Sequence, residues 1–207
     1  MQKNPELKYE LYRKSIHLSS SVIPLSYFYI ERDTEIILLS VMFITALAID
    51  VARINSAGFR SLYDNFLGKI LRHHETDKGG NSFTGGTYIV LAFLMCAILF
   101  PKQVAIASML VVVFADSMAA IAGIHLGRIR IGIGKTLEGS AAFIATGISI
   151  VYLMAELTTE GMNIIAGIAA VFVTAVAELI PVKIDDNIVI PLVFGFSYLI
   201  ISKFIIG

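Results

Sequence analysis

The chain has 207 residues, of which 57% are hydrophobic and 15% charged, and its mean hydropathy is +0.80. A soluble domain of this length does not need so much apolar sequence, so a lipid bilayer surrounds most of the chain. The zero net charge excludes a general attraction to nucleic acid, and the single cysteine, Cys96, excludes an intrachain disulfide.

Seven apolar runs follow one another along the chain, at about 15–30, 36–52, 85–100, 103–124, 139–156, 161–181 and 187–206. Several approach the roughly 20 residues that an α-helix needs to cross a bilayer. The pattern predicts an all-α, polytopic integral membrane bundle of about seven transmembrane helices, forming one catalytic domain over residues 1–207. Pro24 and Pro191 lie inside runs and are expected to kink their helices.

The distribution of basic residues predicts the orientation of these spans. A cytosolic N-terminus places all of the 16 Lys and Arg residues except Arg32, Lys102 and Lys203 on the cytosolic side. Cytosolic loops of membrane proteins carry such an excess of positive charge. We therefore expect the N-terminus to be cytosolic and the C-terminus to lie on the opposite side.

The segment from about 53 to 84 is the one long loop in this topology, and it is predicted to be cytosolic. Its apolar residues recur at helical spacing, with polar residues on the other face. This pattern indicates an amphipathic helix in the headgroup region, or alternatively a surface helix packed on the bundle. The apolar positions are Phe59, Leu62, Tyr63, Phe66, Leu67, Ile70 and Leu71.

Asp116 lies inside the fourth apolar run, and no basic residue stands within one helical turn of it. An ionisable residue at membrane depth is costly and indicates function. Gly123 and Gly127 follow on the same face, and a glycine-broken loop then carries Arg128 and Lys135. A buried acid beside a flexible cationic loop suits a metal-bound, phosphate-rich ligand at a membrane surface.

Other polar groups border the runs on the same predicted side. Glu10, Arg13, Lys14 and His17 share one helical face. Alternatively, Glu10, Arg13 and Lys14 form only a solvated face toward anionic lipid. Further groups are Asp50 with Arg53, Glu178, and the Asp185-Asp186-Asn187 turn. Each group also has a structural interpretation: Asp50 with Arg53 as an ion pair at a helix end, Glu178 as a cap of its helix end, and the turn as a helix N-cap.

Together these residues resemble the CTP-dependent lipid kinases, namely dolichol kinase, phytol kinase and the CTP-using diacylglycerol kinase. The resemblance runs over nearly the whole chain, and it includes Phe83-Thr84-Gly85 and the Asp185-Asp186-Asn187 turn. Its most specific part is Lys135-Thr136-Leu137-Glu138-Gly139, which is close to dolichol kinase. The family is also distantly similar to the phosphatidate cytidylyltransferases, which bind CTP in a membrane bundle.

The resemblance implies transfer of the γ-phosphoryl group of CTP to the hydroxyl of a lipid alcohol. The acceptor would be a polyprenol or dolichol, a phytol-type alcohol or diacylglycerol, and the site would face the cytosol from a cell membrane or endoplasmic reticulum membrane. Mg²⁺ or a similar divalent cation fits this chemistry. The resemblance implies catalytic roles for Asp116, Lys135 and His17, and metal binding by Asp116, Asp185 and Asp186. The residues implied to bind CTP are Arg13, Lys14, Gly123, Gly127, Arg128, Lys135, Thr136, Glu138 and Gly139.

Two other functions stay open at this point. A cytidylyltransferase that forms a CDP-lipid and pyrophosphate would use similar residues. A transporter would need a polar path to the outside, and the outer halves of the runs are largely apolar. The choice of CTP as the nucleotide follows from the resemblance.

Overall fold

The computed structural model describes residues 13–67, 83–131, 134–158, 161–182 and 184–206. Across these ranges the chain is helical and has no β-strand, apart from one isolated bridge between Arg130 and Thr136. This confirms the all-α class. The helices are 13–19 (α1), Val22–Tyr27 (α2), Arg32–Asn55 (α3), Ala57–Leu67 (α4), Gly85–Leu99 (α5), Lys102–Leu126 (α6), Leu137–Leu157 (α7), Ile164–Glu178 (α8) and Asp186–Ile206 (α9).

Four of these helices, α3, α6, α7 and α9, are long and apolar enough to cross a membrane. The apolar helices α5 and α8 have 15 residues each. Each therefore rises only about 22 Å, against a hydrocarbon core of about 30 Å. These six helices match six of the seven predicted runs and support a membrane protein. The count of seven spans and their orientation stay predictions.

The first predicted run differs from the expectation of one continuous helix. It forms two short helices, α1 and α2, separated by a turn at Ser20 and Ser21. Pro24 explains the break, because it has no N–H to donate to the carbonyl of Ser20 and its ring would crowd that carbonyl. The Ser20 carbonyl instead accepts a hydrogen bond from the Ile23 N–H at 3.1 Å.

Helix α6 is the central element of the bundle. In its most apolar window 72% of the residues are buried, against 28% or less in the other three long helices. It packs against α2, α5, α7 and α9. A π-helical turn, Val111–Ala115, interrupts it directly before Asp116. Such turns occur frequently at functional sites in helices, and this one lies where the sequence predicted a buried functional acid.

Helix α4 covers the first part of the predicted amphipathic helix, and residues 68–82 lie outside the described ranges. The Arg60 guanidinium donates hydrogen bonds to the carbonyls of Arg53 and Ile54 at 3.2 and 3.0 Å. These carbonyls belong to the last turn of α3, where helical partners are missing. The start of α4 is therefore tied to the bundle, while Phe59 and Leu62 are exposed. Its place in the headgroup region stays a prediction.

Candidate functional site

A cavity of about 620 Å³ lies at the end of the bundle where α5, α7 and α9 begin and where α8 ends. The short helix α5 begins at its wall and the short helix α8 ends there. Its charged lining comes from α1, α6, α8, α9 and the loop before α7, and uncharged polar residues are added by Ser20, Tyr63, Thr84 and Ser140. Apolar residues of α1, α5 and α6 form another part of the wall: Ile16, Ile89, Ala119, Ala120 and Ile124.

Three helix N-termini meet at this cavity. The lining includes Gly85 and Gly86 from the first turn of α5, Gly139 and Ser140 from α7, and Asp186 and Asn187 from α9. The N-terminus of an α-helix carries a partial positive charge, so it favours anions. Three such termini around one cavity, with basic side chains beside them, favour a polyanionic ligand.

Lys14 and Asp116 form a buried ion pair in the cavity wall. The Lys14 ammonium donates a hydrogen bond to Asp116 Oδ2 at 2.5 Å, across 102 positions of the sequence. The two side chains are 9% and 13% exposed, so water screens the pair weakly. This contact supplies the basic partner that the sequence around Asp116 lacks.

His17 lies between this ion pair and the π-helical turn of α6. Its Nε2 atom is 3.9 Å from Asp116 Oδ2 and 3.0 Å from the carbonyl oxygen of Val112. Because a carbonyl can only accept a hydrogen bond, Nε2 carries a proton and donates it. Only Nδ1 of neutral His17 would therefore be able to accept a proton from a substrate.

Lys135 forms the second charged group of the cavity. Its ammonium donates to Glu178 Oε1 at 2.6 Å and lies 3.6 Å from Asp186 Oδ2. Burial by itself would lower the pKa of Lys135. The carboxylates of Glu178 and Asp186 outweigh burial, so the pKa is raised and the ammonium stays charged at neutral pH.

The loop between α6 and α7 folds back on itself and delivers Lys135 to the cavity. The Ile131 N–H donates to the Lys135 carbonyl at 3.2 Å, and the Leu137 N–H donates to the Ile129 carbonyl at 2.9 Å. Gly134 adopts a φ of +73°, which suits glycine. Thr136 then caps α7 by accepting a hydrogen bond from the Gly139 N–H at 3.1 Å.

Nine of the thirteen residues that the sequence predicted for the site line this one cavity. They come from separate elements, and the fold alone brings them together. They are Arg13, Lys14, His17, Asp116, Gly123, Lys135, Thr136, Gly139 and Asp186. Their roles stay predictions.

The other four predicted residues lie outside the cavity lining. Arg128 is exposed in the loop, and Gly127 packs close to Thr136. Glu138 accepts hydrogen bonds from the Ile129 N–H at 3.3 and 3.4 Å. Asp185 accepts one from the Asn187 N–H at 3.0 Å, which agrees with the N-cap alternative. Their predicted nucleotide and metal contacts are therefore not part of this cavity as it stands.

Asp50 has a structural role beside the cavity. Its Oδ2 atom accepts hydrogen bonds from the Thr84 N–H at 2.8 Å and from the Thr87 hydroxyl at 2.6 Å, which caps the start of α5. The Arg53 guanidinium lies 3.4 Å from its other oxygen, Oδ1. The alternative of a structural ion pair at a helix end therefore describes Asp50 and Arg53 best.

The sequence reasoning left Glu178, Gly86 and Asn187 out of the predicted site, although all three line the cavity. Glu178 carried a signal, since it is an acid at the end of an apolar run on the same predicted side as Asp116. Asn187 also carried a signal, because it belongs to the Asp185-Asp186-Asn187 turn that the resemblance includes. Gly86 carried little signal, because its place follows from the meeting of α5 and α9. The Asn187 side-chain amide donates to the Gly85 carbonyl at 3.4 Å and links the two helix starts.

Within the described ranges, no group of three or more His, Cys, Asp or Glu side chains is arranged to hold a metal ion. The carboxylates of Asp116 and Asp186 both border the cavity and act on Lys135 electrostatically. Mg²⁺ commonly takes one or two carboxylates together with phosphate oxygens. This donor set fits a cation that arrives with a phosphorylated ligand rather than one held by protein groups alone.

Fold and site together define a helical membrane protein with a cavity that has both charged and apolar walls. The uncharacterised protein RP860 of Rickettsia prowazekii is 32% identical to this chain over 199 residues, which cover 94% of the chain and 96% of the relative. The chain belongs to the family of this Rickettsia protein.

Two relatives carry a functional name. CTP-dependent diacylglycerol kinase 1 of Schizosaccharomyces pombe is 27% identical over 203 residues, 90% of each protein. The protein of the same name from Eremothecium gossypii is 27% identical over 145 residues, which cover 68% of this chain and 44% of that protein. This homology supports the family of CTP-dependent lipid kinases. No family model and no solved structure matches the chain.

Proposed function

We propose that this protein is a CTP-dependent lipid kinase that transfers the γ-phosphoryl group of CTP to a lipid hydroxyl on the cytosolic side of its membrane. Diacylglycerol is the first candidate acceptor, because two relatives are named for its phosphorylation. Polyprenols and phytol-type alcohols are the other acceptors that the sequence resemblance implies. The observation that carries the proposal is the meeting of Lys14–Asp116, Lys135 and three helix N-termini in one cavity.

The charged wall suits the triphosphate of the nucleotide. Phosphoryl transfer depends on positioning and charge neutralisation, which Arg13, Lys14 and Lys135 provide together with the helix N-termini. Arginine contributes a bidentate fork for phosphate, and lysine contributes a mobile point charge. Asp116 balances Lys14 before the nucleotide arrives and holds its ammonium in the cavity.

The apolar wall suits the acceptor lipid. The same cavity that holds the charged groups is also bordered by Ile16, Ile89, Ala120 and Ile124. A lipid chain would therefore lie against apolar residues while the triphosphate lies against charged ones, so neither group would be buried in an unfavourable environment. The small side chain of Ala120 and the adjacent Gly123 leave room at this wall. Here the lipid hydroxyl would be held beside the γ-phosphorus.

In the transfer, the acceptor oxygen forms a bond to the γ-phosphorus while the bond from that phosphorus to the β–γ bridging oxygen breaks. CDP leaves with the bridging oxygen, and the hydroxyl proton passes to a base. His17 would take this proton at Nδ1, since its Nε2 atom already donates to Val112. Asp116 is the other candidate, and it lies beside His17 in the wall.

A divalent cation bound with the nucleotide would neutralise phosphate charge, and Asp116 and Asp186 are the cavity carboxylates that would hold it. Asp185 was also predicted as a ligand, but its Oδ1 atom is engaged by the Asn187 N–H. The protein residues themselves orient the triphosphate and balance its charge.

The test is a panel assay with purified protein, γ-labelled CTP, ATP or GTP, and the candidate lipid alcohols. We expect label in a lipid monophosphate with CTP as the donor, and a loss of at least about 100-fold in Asp116→Asn. Thermal unfolding of Asp116→Asn in detergent serves as the folding control. Absence of label in every lipid, from folded wild-type protein, would refute the proposed function.

A further inference from the structure

Glu178 is a buried acid of the cavity that the proposed reaction does not yet use. It is the last residue of α8, its side chain is 3% exposed, and it lines the cavity. Its Oε1 atom accepts the hydrogen bond from the Lys135 ammonium at 2.6 Å, across 43 positions of the sequence. The pair therefore joins the end of α8 to the loop before α7.

The buried carboxylate of Glu178 depends on Lys135 to compensate its negative charge. Oε2 is buried and has no hydrogen-bond partner among the described residues. A buried carboxylate is costly unless an opposite charge compensates it. The Lys135 ammonium supplies this compensation at the shortest distance, so each member of the pair constrains the other.

Asp186 is a weaker partner of the same ammonium. Its Oδ2 atom lies 3.6 Å from Lys135 Nζ, beyond hydrogen-bond distance, and its side chain is 45% exposed. An ammonium has three N–H donors, and Glu178 accepts one of them. The lysine is thus anchored on one side, and its other donors are left for a ligand in the cavity.

We infer that Glu178 is the positioning residue of Lys135: it holds the ammonium at the cavity wall so that the phosphates of a bound nucleotide meet it in place. The inference rests on the proposed function. Without this anchor, a long lysine side chain on a loop that contains Gly132 and Gly134 samples many positions and contributes less to phosphate neutralisation.

Glu178 does not serve as the proton acceptor of the reaction in this arrangement. One of its oxygens is engaged by Lys135, and the other is closed off from the cavity solvent. A lipid hydroxyl would reach neither oxygen without breaking the ion pair. The carboxylate therefore acts through Lys135 rather than on the reacting atoms.

The kinetic test combines Glu178→Gln with Lys135→Met. Glutamine keeps the size of the side chain and removes its charge. We expect Glu178→Gln to lower kcat/KM for CTP at least about tenfold with the KM for lipid unchanged, and Glu178→Asp to recover part of the loss. In a Lys135→Met background, adding Glu178→Gln should lower kcat/KM for CTP by a further factor of less than about two, because the two residues act as one unit. Glu156→Gln, at the exposed end of α7, is the matched control with unchanged activity.

A second readout needs no catalysis. The rate of Lys135 acetylation by a small anhydride is measured by mass spectrometry against pH in wild-type protein and in Glu178→Gln. Loss of the adjacent carboxylate lowers the lysine pKa, so we expect labelling at pH 8 to rise at least about threefold. An unchanged labelling profile, or additive losses in the double variant, would overturn the positioning role. If wild-type protein is inactive but labelling responds, the positioning stands and the proposed reaction fails.

Discussion

The pair of Lys14 and Asp116 shows which features of the site the sequence predicts and which depend on the fold. The sequence identified Asp116 by its depth in an apolar run, and it placed Arg13, Lys14 and His17 on one helical face. It did not pair Lys14 with Asp116, because contacts across 102 positions depend on how α1 docks against α6. The same limit applies to Glu178, whose partner Lys135 comes from a loop rather than from a periodic element.

The buried pair gives a prediction for stability as well as activity. Lys14→Met leaves the Asp116 carboxylate without its closest cation, and breaking a buried ion pair costs about 3–5 kcal/mol. We expect a lower unfolding temperature in detergent and loss of phosphoryl transfer. The double variant Lys14→Met with Asp116→Asn removes both charges, so it should regain much of the stability but none of the activity. A Lys14→Met variant as stable as the wild-type protein would contradict this account of the ion pair.

The helices follow from the sequence more fully than the site does. Apolar runs of near-membrane length predicted α3, α5, α6, α7, α8 and α9, because burial in lipid demands continuous apolar sequence. The break between α1 and α2 follows from Pro24, but the sequence alone showed only a kink. The π-helical turn of α6 had no signal, since one extra residue in a turn does not alter an all-apolar pattern. Residues 68–72 of the predicted amphipathic helix lie outside the described residues.

The crossing of α6 and α7 gives a prediction for packing. A Cβ atom on Gly139 would lie 2.9 Å from the backbone oxygen of Ala119 and 3.5 Å from Gly123 Cα. Gly139→Ala would therefore force the two helices apart, and overpacking of this kind costs about 1–3 kcal/mol.

Gly58→Ala is the matched control, because nothing lies within 4 Å of a Cβ atom there and alanine favours the helix α4. Thermal unfolding of both variants in detergent measures the difference. We expect a lower midpoint for Gly139→Ala and an unchanged or higher one for Gly58→Ala. Equal midpoints would show that the helices separate at no cost.

For the whole molecule, composition alone predicted a helical membrane protein, and the homology to diacylglycerol kinases supports the predicted family. The number of spans and the orientation stay predictions. The sequence predicted that the site residues lie on one side of the membrane. The structure brings nine of the thirteen to one cavity and leaves Gly127, Arg128, Glu138 and Asp185 outside the lining. The cavity itself was not predictable, because it lies where the ends of α5, α7, α8 and α9 meet, and this meeting depends on contacts between distant parts of the sequence.

The reaction is tested most directly by following both ends of the nucleotide. Purified protein in vesicles that contain both diacylglycerol and phosphatidate, the acceptor that a cytidylyltransferase would need, receives CTP that carries one label on the γ-phosphate and another on the cytidine. We predict that the γ-label enters the lipid while the cytidine label remains in water as CDP, in equal amounts. Cytidine label in the lipid, with pyrophosphate released, would contradict a kinase and indicate a cytidylyltransferase instead.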